Sequence, residues 1–377
     1  MKFNRYALSD LATIKYGKNQ KKVLSENGNI PIYGTGGLMG YATTALYDKP
    51  SVLIGRKGTI GKVKYVEHPF WTVDTLFYTI VNTDIVLPKY LYYVMSLIDL
   101  NNYNEGTTIP SLRTETLNRL EFDIPSLVEQ DTILSCLNPI DEKIALNNAI
   151  NNNLLQQLDT LYDEFSHRKN WSTVIINDIA EKVAMGPFGS NIKVSTFVSE
   201  GVPIISGNHL RGYFLEEPSF NYITEEHAQR LKNSLVYPKD IVFTHAGNIG
   251  QVAMIPDDCR YPMYVLSQRQ FYLRCDTEKA IPEYVVLFFH SKQGQHELLS
   301  YANQTGVPSI AQPATNLKKI PLKLPPIDEQ RQWLQVVSPI IKLYQSNVYE
   351  NEHLSSMRDS LLPKLMSGEL VVSDIDL

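Results

Sequence analysis

The sequence has few of the features that mark secreted, membrane-spanning or metal-binding proteins. It contains three cysteines, Cys136, Cys259 and Cys275, which are too few and too scattered for a disulfide framework or a Cys-x-x-Cys metal site. No apolar run approaches the roughly 20 residues that span a bilayer, and no signal-peptide core follows the first residues. We therefore expect a cytoplasmic protein with free thiols in its cores.

Sequence motifs of the common enzyme classes are also missing. Gly55–Lys62 resembles a nucleotide-binding phosphate loop, but Arg56 replaces the first glycine and Val63 follows the lysine where Ser or Thr is required. The chain has no His-Glu-x-x-His, no Gly-x-Ser-x-Gly and no Asn/Asp-Pro-Pro-aromatic segment. His245 could act as a base, but no nucleophile or acid motif accompanies it. The sequence predicts no catalytic residues and no metal ligands.

Charge is unevenly distributed along the chain, although the whole sequence has a net charge of only −5. Residues 1–65 contain eleven Lys and Arg against three acidic residues, a net of +8, together with nine glycines and six tyrosines. Residues 121–165 contain nine acidic residues and one lysine, a net of −8. This separation predicts one surface suited to a polyanion and another that repels it, although solvated surface charge would explain either segment alone.

The chain is an internal repeat of two halves, as its 377 residues, too many for one ordinary domain, also suggest. Similar short segments occur in the same order in both halves, at separations that drift between 168 and 200 residues. The matching segments are 8–12 with 176–180, 30–32 with 202–204, 58–61 with 247–250, 109–111 with 307–309, and 124–130 with 324–330. Each half thus consists of a variable unit followed by a better-matched one.

The better-matched units have a heptad pattern, in which mostly apolar residues recur at alternating spacings of four and three. In a helix these residues form one continuous seam along one face. Two asparagines in each seam would fix the register of a helix pair at some cost in stability. A surface-helix stripe is the alternative, and the repetition of the seam favours a pair. Arg358 is the one poor fit. The positions predicted for the core of the helix pair are Ile133, Leu137, Ile140, Ile144, Asn147, Asn151, Leu154, Leu158 and Leu161 in the first half, and Trp333, Val337, Ile340, Tyr344, Asn347, Asn351, Leu354 and Leu361 in the second.

Two prolines in matching positions predict where the long helices begin. Asn138-Pro139 and Ser338-Pro339 are typical of an N-cap followed by a first-turn proline, so we expect a short helix before each long one. From Pro139 to Phe165 the seam would then be roughly 40 Å long at about 1.5 Å per residue. The variable units instead have short β-rich runs between Gly and Pro turns, which predicts mixed α/β domains.

In order and duplication, these segments resemble the specificity subunits of type I restriction-modification systems, over essentially the whole chain. Gly186–Lys193 (GPFGSNIK) matches their phosphate-side loop, whereas Lys18–Lys22 (KNQKK) occupies that place in the first half and leaves its phosphate contacts open. The resemblance implies an α+β fold: two mixed α/β target-recognition domains separated by a pair of long antiparallel coiled-coil helices, with a pseudo-twofold internal repeat. The expected boundaries are 1–126 and 169–326 for the recognition domains, 127–168 and 327–368 for the helices, and 369–377 for a tail.

The resemblance also implies a function without catalysis. Such a subunit places two methyltransferase subunits, which flip and methylate an adenine, and recruits restriction/translocase subunits; S-adenosylmethionine, ATP and Mg would belong to those partners. Each domain would bind one half of a bipartite, gapped site in double-stranded DNA. The predicted seam of roughly 40 Å would hold the two domains at a distance that matches half-sites one helical turn, or about 34–36 Å, apart. The acidic helices would lie off the DNA or contact the methyltransferases.

Residue type and motif position identify the side chains expected to contact DNA; the alternative for each is a solvated surface residue. In the first domain they are Lys18, Lys21, Lys22, Arg56, Lys57, Thr59, Lys62 and Arg113. In the second domain they are Ser190, Asn191, Lys193, Asn208, His245, Asn248 and Gln304.

Three other functions fit parts of the pattern. The chain could be the specificity component of a combined restriction enzyme that cuts on both sides of its site, with a fused nuclease-methyltransferase as partner. It could be a coiled-coil scaffold without a DNA function, against which the basic first segment argues. It could be an enzyme with an irregular active site, against which the duplication and the missing motifs argue.

Overall fold

The computed structural model describes residues 2–217, 219–303 and 306–370, apart from the side chain of Ser190. The chain forms two compact units. Unit 1 combines the residues up to Leu146 with those from His353 onward, and unit 2 comprises Asn147–Glu352. Each unit therefore contains one recognition domain together with parts of both long helices.

The first domain consists of short strands and helices followed by one long helix. The strands are β1 (Asn4–Ala7), β2 (Ala12–Tyr16), β3 (Ile30–Gly34), β4 (Gly37–Ala42), β5 (Ser51–Gly55), β6 (Val63–Val66), β7 (Trp71–Thr72), β8 (Leu76–Val81) and β9 (Glu121–Ile124). The helices are α1 (Leu8–Leu11), α2 (Pro88–Ser96), α3 (Thr114–Asn118) and the long α4 (Leu127–His167), with a 3₁₀ turn at Leu100–Tyr103. The sheets have the orders β2-β8-β5-β6, β4-β3-β7 and β1-β9.

The second domain repeats this arrangement with additional short elements. Its strands are β10 (Ser172–Ile175), β11 (Ala180–Met185), β12 (Val202–Ile205), β13 (Asn221–Ile223), β14 (Leu235–Val236), β15 (Ile241–Thr244), β16 (Val252–Met254), β17 (Tyr264–Leu266), β18 (Gln270–Cys275), β19 (Ala302–Asn303), β20 (Ser309–Ile310) and β21 (Pro321–Leu324). Its helices are α5 (Ile176–Ile179), α6 (Glu225–Arg230), α7 (Pro282–His290), α8 (Lys292–Leu299), α9 (Pro313–Leu317) and the long α10 (Ile327–Ser367). Its 3₁₀ turns are Gly189–Asn191, Val194–Thr196, Gly207–His209 and Lys232–Ser234.

The two domains share one sheet topology. The order β11-β18-β15-β16 repeats β2-β8-β5-β6, and β12 runs parallel to β17 as β3 runs parallel to β7. The matching segments 8–12 and 176–180 form the same short helix in both domains. At its start, the carboxylates of Asp10 and Asp178 accept hydrogen bonds from the backbone N–H groups of Ala7 and Ile175, each at 3.0 Å. The predicted fold class, with its internal repeat, is confirmed.

Within each unit, α4 and α10 pair in antiparallel fashion. In unit 1, Ile133 and Leu137 from the first part of α4 share a core with Leu362 and Leu365 from the last part of α10. In unit 2 the order is reversed, since the late α4 residues join a core with early α10 residues such as Trp333. Every position predicted for the helix-pair core is buried or half-buried.

The seam asparagines of unit 2 form a reciprocal set of hydrogen bonds. The amide Nδ2 of Asn147 donates to Oδ1 of Asn351 at 3.0 Å, and Nδ2 of Asn347 donates to Oδ1 of Asn151 at 2.8 Å. Asn147 also donates to the Glu350 carboxylate at 2.7 Å. Because a buried amide without a partner costs about 1–3 kcal/mol, any slip of one helix along the other is penalised. These contacts therefore favour a single register.

The prediction that each long helix starts at a proline is wrong. Pro139 lies inside the unbroken helix α4, and Pro339 lies at the matching place inside α10. An interior proline removes one backbone hydrogen bond and crowds the preceding turn. Both proline rings are exposed, while Leu137 and Val337 two residues earlier are fully buried. Continuing the helix keeps those apolar side chains in their cores and leaves the freed carbonyl groups on the side that faces water.

A buried glutamine joins each recognition domain to its long helix. The Gln130 side chain accepts a hydrogen bond from the backbone N–H of Leu87, which caps α2, and donates to the carbonyls of Ile85 and Pro125, at 2.8, 2.8 and 3.0 Å. Gln330 makes the same three contacts at the start of α7, accepting from the Ile281 N–H at 2.9 Å. Both glutamines are 0% exposed. The match between residues 124–130 and 324–330 thus has a structural origin.

We predict that Gln330→Leu lowers the free energy of unfolding by about 1–3 kcal/mol. The Ile281 N–H and the two carbonyl groups that bond to the Gln330 side chain would then be buried without hydrogen-bond partners. The exposed Gln335 on the same helix is the matched control, and Gln335→Leu should change stability by less than about 0.5 kcal/mol. Urea denaturation followed by tryptophan fluorescence measures both, since Trp171 and Trp333 are buried in unit 2. Equal losses in the two variants would contradict the assigned role.

Candidate nucleic-acid interface

In the first domain, the central glycine turn and the late loop are held together by backbone hydrogen bonds. The Gly58 N–H donates to the Pro110 carbonyl at 2.9 Å, and the Leu112 N–H donates to the Arg56 carbonyl at 2.9 Å. Gly58 has φ +88°, a left-handed conformation that glycine adopts without a steric penalty. The two segments that sequence comparison selected separately, 58–61 and 109–111, therefore form one surface.

The second domain builds the same surface from different side chains. The Gly247 N–H donates to the Pro308 carbonyl at 3.0 Å, and the Ile310 N–H donates to the His245 carbonyl at 2.8 Å. Gly247 also has φ +88°. The backbone framework is thus common to both domains, whereas Lys57 and Thr59 of the first correspond to Ala246 and Asn248 of the second.

The residue before each central turn is tied to the framework through its side chain. Arg56 Nη1 donates to the Asp74 carbonyl at 2.8 Å, and its guanidinium lies 5.2 Å from the Tyr16 ring centroid. His245 Nε2 lies 3.1 Å from the Gln268 carbonyl, so this nitrogen is the protonated one in that contact. Both side chains are half-buried. Each therefore has one side-chain donor engaged by the protein itself.

The first loop of each domain begins with a glycine that cannot be replaced without displacing the backbone. The Gly17 N–H donates to the Leu76 carbonyl at 3.0 Å, and the Gly186 N–H donates to the Gln270 carbonyl at 2.8 Å. A Cβ at Gly17 would lie 2.0 Å from the Val73 carbonyl oxygen. A Cβ at Gly186 would lie 2.0 Å from the Ser267 carbonyl oxygen. Lys18–Lys22 and the GPFGSNIK segment therefore leave corresponding strands through the same kind of turn.

The predicted lysines of the first domain are exposed. Lys18, Lys21, Lys22, Lys57 and Lys62 have no ion-pair partner among the described residues, and Thr59 beside them is exposed as well. Unpaired lysines of this kind are available to neutralise phosphates.

Arg113 differs from these lysines. Its Nε lies 3.1 Å from the Glu105 carboxylate, and the Glu105 backbone N–H bonds to Ser111 in the late loop. This ion pair holds the late loop against the start of α3. Contact with a phosphate would require the arginine to exchange its present carboxylate partner.

The predicted residues of the second domain lie on four separate segments: 190–193, 208, 245–248 and 304. Asn191, Lys193, Asn208 and Asn248 are exposed. Asn191 Nδ2 donates to the Phe188 carbonyl at 2.8 Å, which uses one of its donors inside the loop. Gln304 and the side chain of Ser190 lie outside the described residues.

A buried histidine holds Asn208 at the surface. Next to it in the chain, His209 accepts a hydrogen bond from the Ser206 N–H at Nδ1 (2.9 Å) and contacts the Ser219 carbonyl through Nε2 (2.9 Å). Burial lowers the pKa of His209, so the ring stays neutral with one donor and one acceptor satisfied. The fixed ring anchors the turn that presents the exposed Asn208 amide.

Sequence reasoning missed Arg269, an exposed residue in the second domain. Its Nη1 lies 3.5 Å from the position that a Cβ on Gly247 would occupy, and its carbonyl accepts the His245 N–H at 2.9 Å. Arg269 corresponds to Thr75 of the first domain, whose carbonyl accepts the Arg56 N–H at 2.8 Å. Its place beside the central turn follows from strand pairing and not from a local sequence signal. Arg269 therefore adds a cation to a turn that contains no lysine.

The hairpin of β3 and β4 was also missed. Its pairing shifts between Ile32 and Tyr33, which leaves Met39 as a bulge residue, and the adjacent Leu38 and Met39 are 53% and 55% exposed. A bulge lets two successive side chains point outward. The tip lies beside the central turn, because Thr35 Oγ1 is 3.8 Å from the Cβ position of Gly58. Apolar side chains here are suited to contact thymine methyl groups or base faces.

Two kinds of functional site are not found in the described ranges. No group of three or more His, Cys, Asp or Glu side chains there is arranged to hold a metal ion. No helix in that part of the chain is long and apolar enough to cross a membrane. The three cysteines are free thiols; Cys136 and Cys275 are buried and Cys259 is half-buried.

We predict that Gly17→Ala lowers the free energy of unfolding by about 1–3 kcal/mol and loosens the Lys18–Lys22 loop, because the new Cβ would overlap the Val73 carbonyl. Gly36→Ala is the matched control in the same domain, since no atom lies within 4 Å of its Cβ position. Urea denaturation and hydrogen exchange of β2 and β8 report the two effects. A Gly17→Ala variant as stable as Gly36→Ala would refute the close approach.

Comparison with known proteins agrees with this duplicated arrangement. The sequence profile described as "Type I restriction modification DNA specificity domain" matches residues 2–156 and again 168–354. The chain is similar to the MjaIX specificity subunit of Methanocaldococcus jannaschii, at 23% identity over 364 residues, covering 88% of this chain and 80% of that protein. It is also similar to the HindI specificity subunit of Haemophilus influenzae, at 29% identity over 111 residues, or 27% of this chain and 24% of that one.

A solved structure shares the fold. The S subunit of a type I restriction-modification system from M. genitalium superposes with a TM-score of 0.56 at 16% identity, over 97% of this chain and 96% of that one. The family profile matches each recognition domain and much of both long helices. The chain therefore belongs to the family of type I restriction-modification DNA specificity subunits.

Proposed function

We propose that this chain binds a bipartite DNA site, each recognition domain contacting one half, and that it has no catalytic activity of its own. One observation carries the proposal: the same turn-and-loop framework occurs twice with different exposed side chains. Gly58 and Gly247 have the same φ and bond to equivalent carbonyls, while Thr59 and Asn248 differ in what they can donate and accept. A common framework with different side chains is suited to two different half-sites.

Electrostatics supports DNA as the ligand. Exposed lysines that have no ion pair within the described ranges lie on the first domain's loops, and Arg269 with Lys193 supplies positive charge in the second. Such cations bind phosphates without regard to sequence, and the polar side chains on the turns bind base edges. The bound site would then have an unread spacer between its halves.

The long helices suit contacts with protein subunits rather than DNA. On α4, Asp131, Glu142, Asp159 and Asp163 are exposed and would be repelled by phosphates. On α10, Val336 and Leu343 are 58% and 48% exposed, as expected of a surface that a partner covers. We infer that the helices set the spacer and dock two methyltransferase subunits, with restriction/translocase subunits joining them. S-adenosylmethionine, ATP and Mg would then be bound by those subunits.

The test of this function is methylation-sensitive long-read sequencing of DNA from cells that express the cognate methyltransferase with and without this chain. We expect a two-part, gapped adenine-methylation motif only when the chain is present, because it alone would supply the base contacts. Unchanged methylation, with the methyltransferase shown to be active and bound to the chain, would reject the function and favour a scaffold.

The same measurement predicts separable half-sites. Asn248→Ala should relax or change only the half of the motif that the second domain contacts, by about 1–3 kcal/mol of discrimination, and Thr59→Ala should affect only the other half. In each variant, the unaltered half-site is an internal control for folding and docking. Variants that changed both halves together would contradict the assignment of one half-site to each domain.

A further inference from the structure

Unit 2 contains a cavity that DNA binding does not use. Its volume is about 440 Å³, within the range of small-molecule sites. Its lining includes Lys239, Asp257 and Glu283 from the recognition domain and Leu334, Ile341 and Lys342 from α10. We call it the Glu283 cavity.

Glu283 lines this cavity, and one oxygen of its carboxylate is unsatisfied. The residue is only 7% exposed, and its Oε2 is buried with no hydrogen-bond partner in the described part of the chain. Burial raises the pKa of Glu283. Lys239 does not neutralise it directly, because Lys239 Nζ pairs with the Asp257 carboxylate at 3.1 Å. A buried carboxylate is costly without a partner, so this atom indicates a missing donor.

At the corresponding place in unit 1, the charged side chains pair with one another. There Lys89 takes the position of Glu283 in the Pro-x-Tyr sequence that begins the helix, and Asp141 takes the position of Ile341. Lys89 Nζ lies 3.4 Å from the Asp141 carboxylate, and Arg358 Nη1 lies 3.1 Å from it. The first copy therefore pairs these half-buried charges internally. In the second copy, the lysine is a glutamate and the aspartate an isoleucine. Glu283 there forms no ion pair among the described residues, and the nearby Lys239 pairs with Asp257 instead.

The backbone beside the cavity is strained. Lys239 has φ +73°, a left-handed conformation that is uncommon for a residue with a side chain. Its N–H donates to the Ile255 carbonyl at 2.8 Å, which holds the turn in this shape. Strain of this kind persists where the surroundings fix it, often at ligand sites. The turn places the Lys239–Asp257 pair at the wall of the cavity.

We propose that the Glu283 cavity binds an ammonium or guanidinium group carried on an aliphatic chain. Its three carboxylates, Asp257, Asp258 and Glu283, outnumber its lysines, Lys239 and Lys342, which favours a cation. Met254, Leu334 and Ile341 form an apolar wall that suits a methylene stem. A free polyamine or a lysine or arginine side chain of a bound protein subunit presents this chemistry; only the second source rests on the proposed function.

The first experiment titrates the full chain with spermidine and, separately, with L-arginine at about 150 mM salt, which screens exposed charges. Isothermal titration calorimetry should detect binding to the wild type that is at least about tenfold weaker in Glu283→Gln. The matched control is Glu278→Gln, because Glu278 is an exposed carboxylate of the same domain that pairs with Arg331 at 3.3 Å. Its binding should equal that of the wild type, and such a result assigns a free amine as the source.

The second experiment applies if neither small cation binds. The affinity of the co-expressed methyltransferase subunit is then compared among the same variants, and a loss of about tenfold or more in Glu283→Gln alone assigns a basic protein side chain as the source. This arm measures complex formation and not methylation, so its failure is distinguishable from failure of the DNA function.

Thermal unfolding of the free variants separates binding from folding. Glu283→Gln should melt at or above the wild-type temperature, because it removes a buried charge that forms no ion pair among the described residues. Two results would overturn the proposal: a Glu283→Gln chain that melts lower, which would reveal an internal partner, or equal behaviour of both variants in both binding experiments.

Discussion

The arrangement of each unit depends on satisfying the backbone polar groups that are buried where a recognition domain meets its long helix. One glutamine side chain does this twice, since Gln130 and Gln330 each bond to an N–H at the start of a helix and to two carbonyls. Burying an amide is favourable only when all its partners are in place. The orientation of each domain on its helix is therefore fixed by three directional bonds, and the exposed loops of the domain share that orientation.

In the loops of the two domains, the backbone contacts are the same while the exposed side chains differ. The backbone bonds at Gly58 and Gly247 are the same, as are the close approaches at Gly17 and Gly186, although the sequences around them differ. Backbone geometry constrains only a few glycines and leaves neighbouring positions free to vary. The exposed side chains of the first domain, with lysines and the apolar pair Leu38 and Met39, consequently differ from the asparagine-rich set of the second. Recognition can change through exposed side chains without a change of fold.

Much of the fold was predictable because its signals are periodic or duplicated. The repeat, the heptad seam and the order of segments follow from spacing alone, and the seam positions lie buried or half-buried in the helices. The failures come from tertiary effects. Pro139 looked like a helix start, but burial of Leu137 keeps the helix continuous across it. The bulge at Met39 and the position of Arg269 beside Gly247 depend on strand register and on contacts distant in sequence, which no local pattern contains.

The reciprocal asparagine contacts have a consequence for how such a chain can be assembled. Asn147 of α4 bonds to Asn351 of α10, and Asn347 of α10 bonds to Asn151 of α4. Asn147 and Asn347 are matching positions of the repeat, as are Asn151 and Asn351, so the same contact is made in both directions. Exchange of this kind is the mark of an isologous interface, which two identical chains form about a twofold axis. The seam therefore does not require the two halves to be covalently joined. Fusion instead allows the two halves to diverge from each other in sequence, which the two identical chains of a homodimer cannot do.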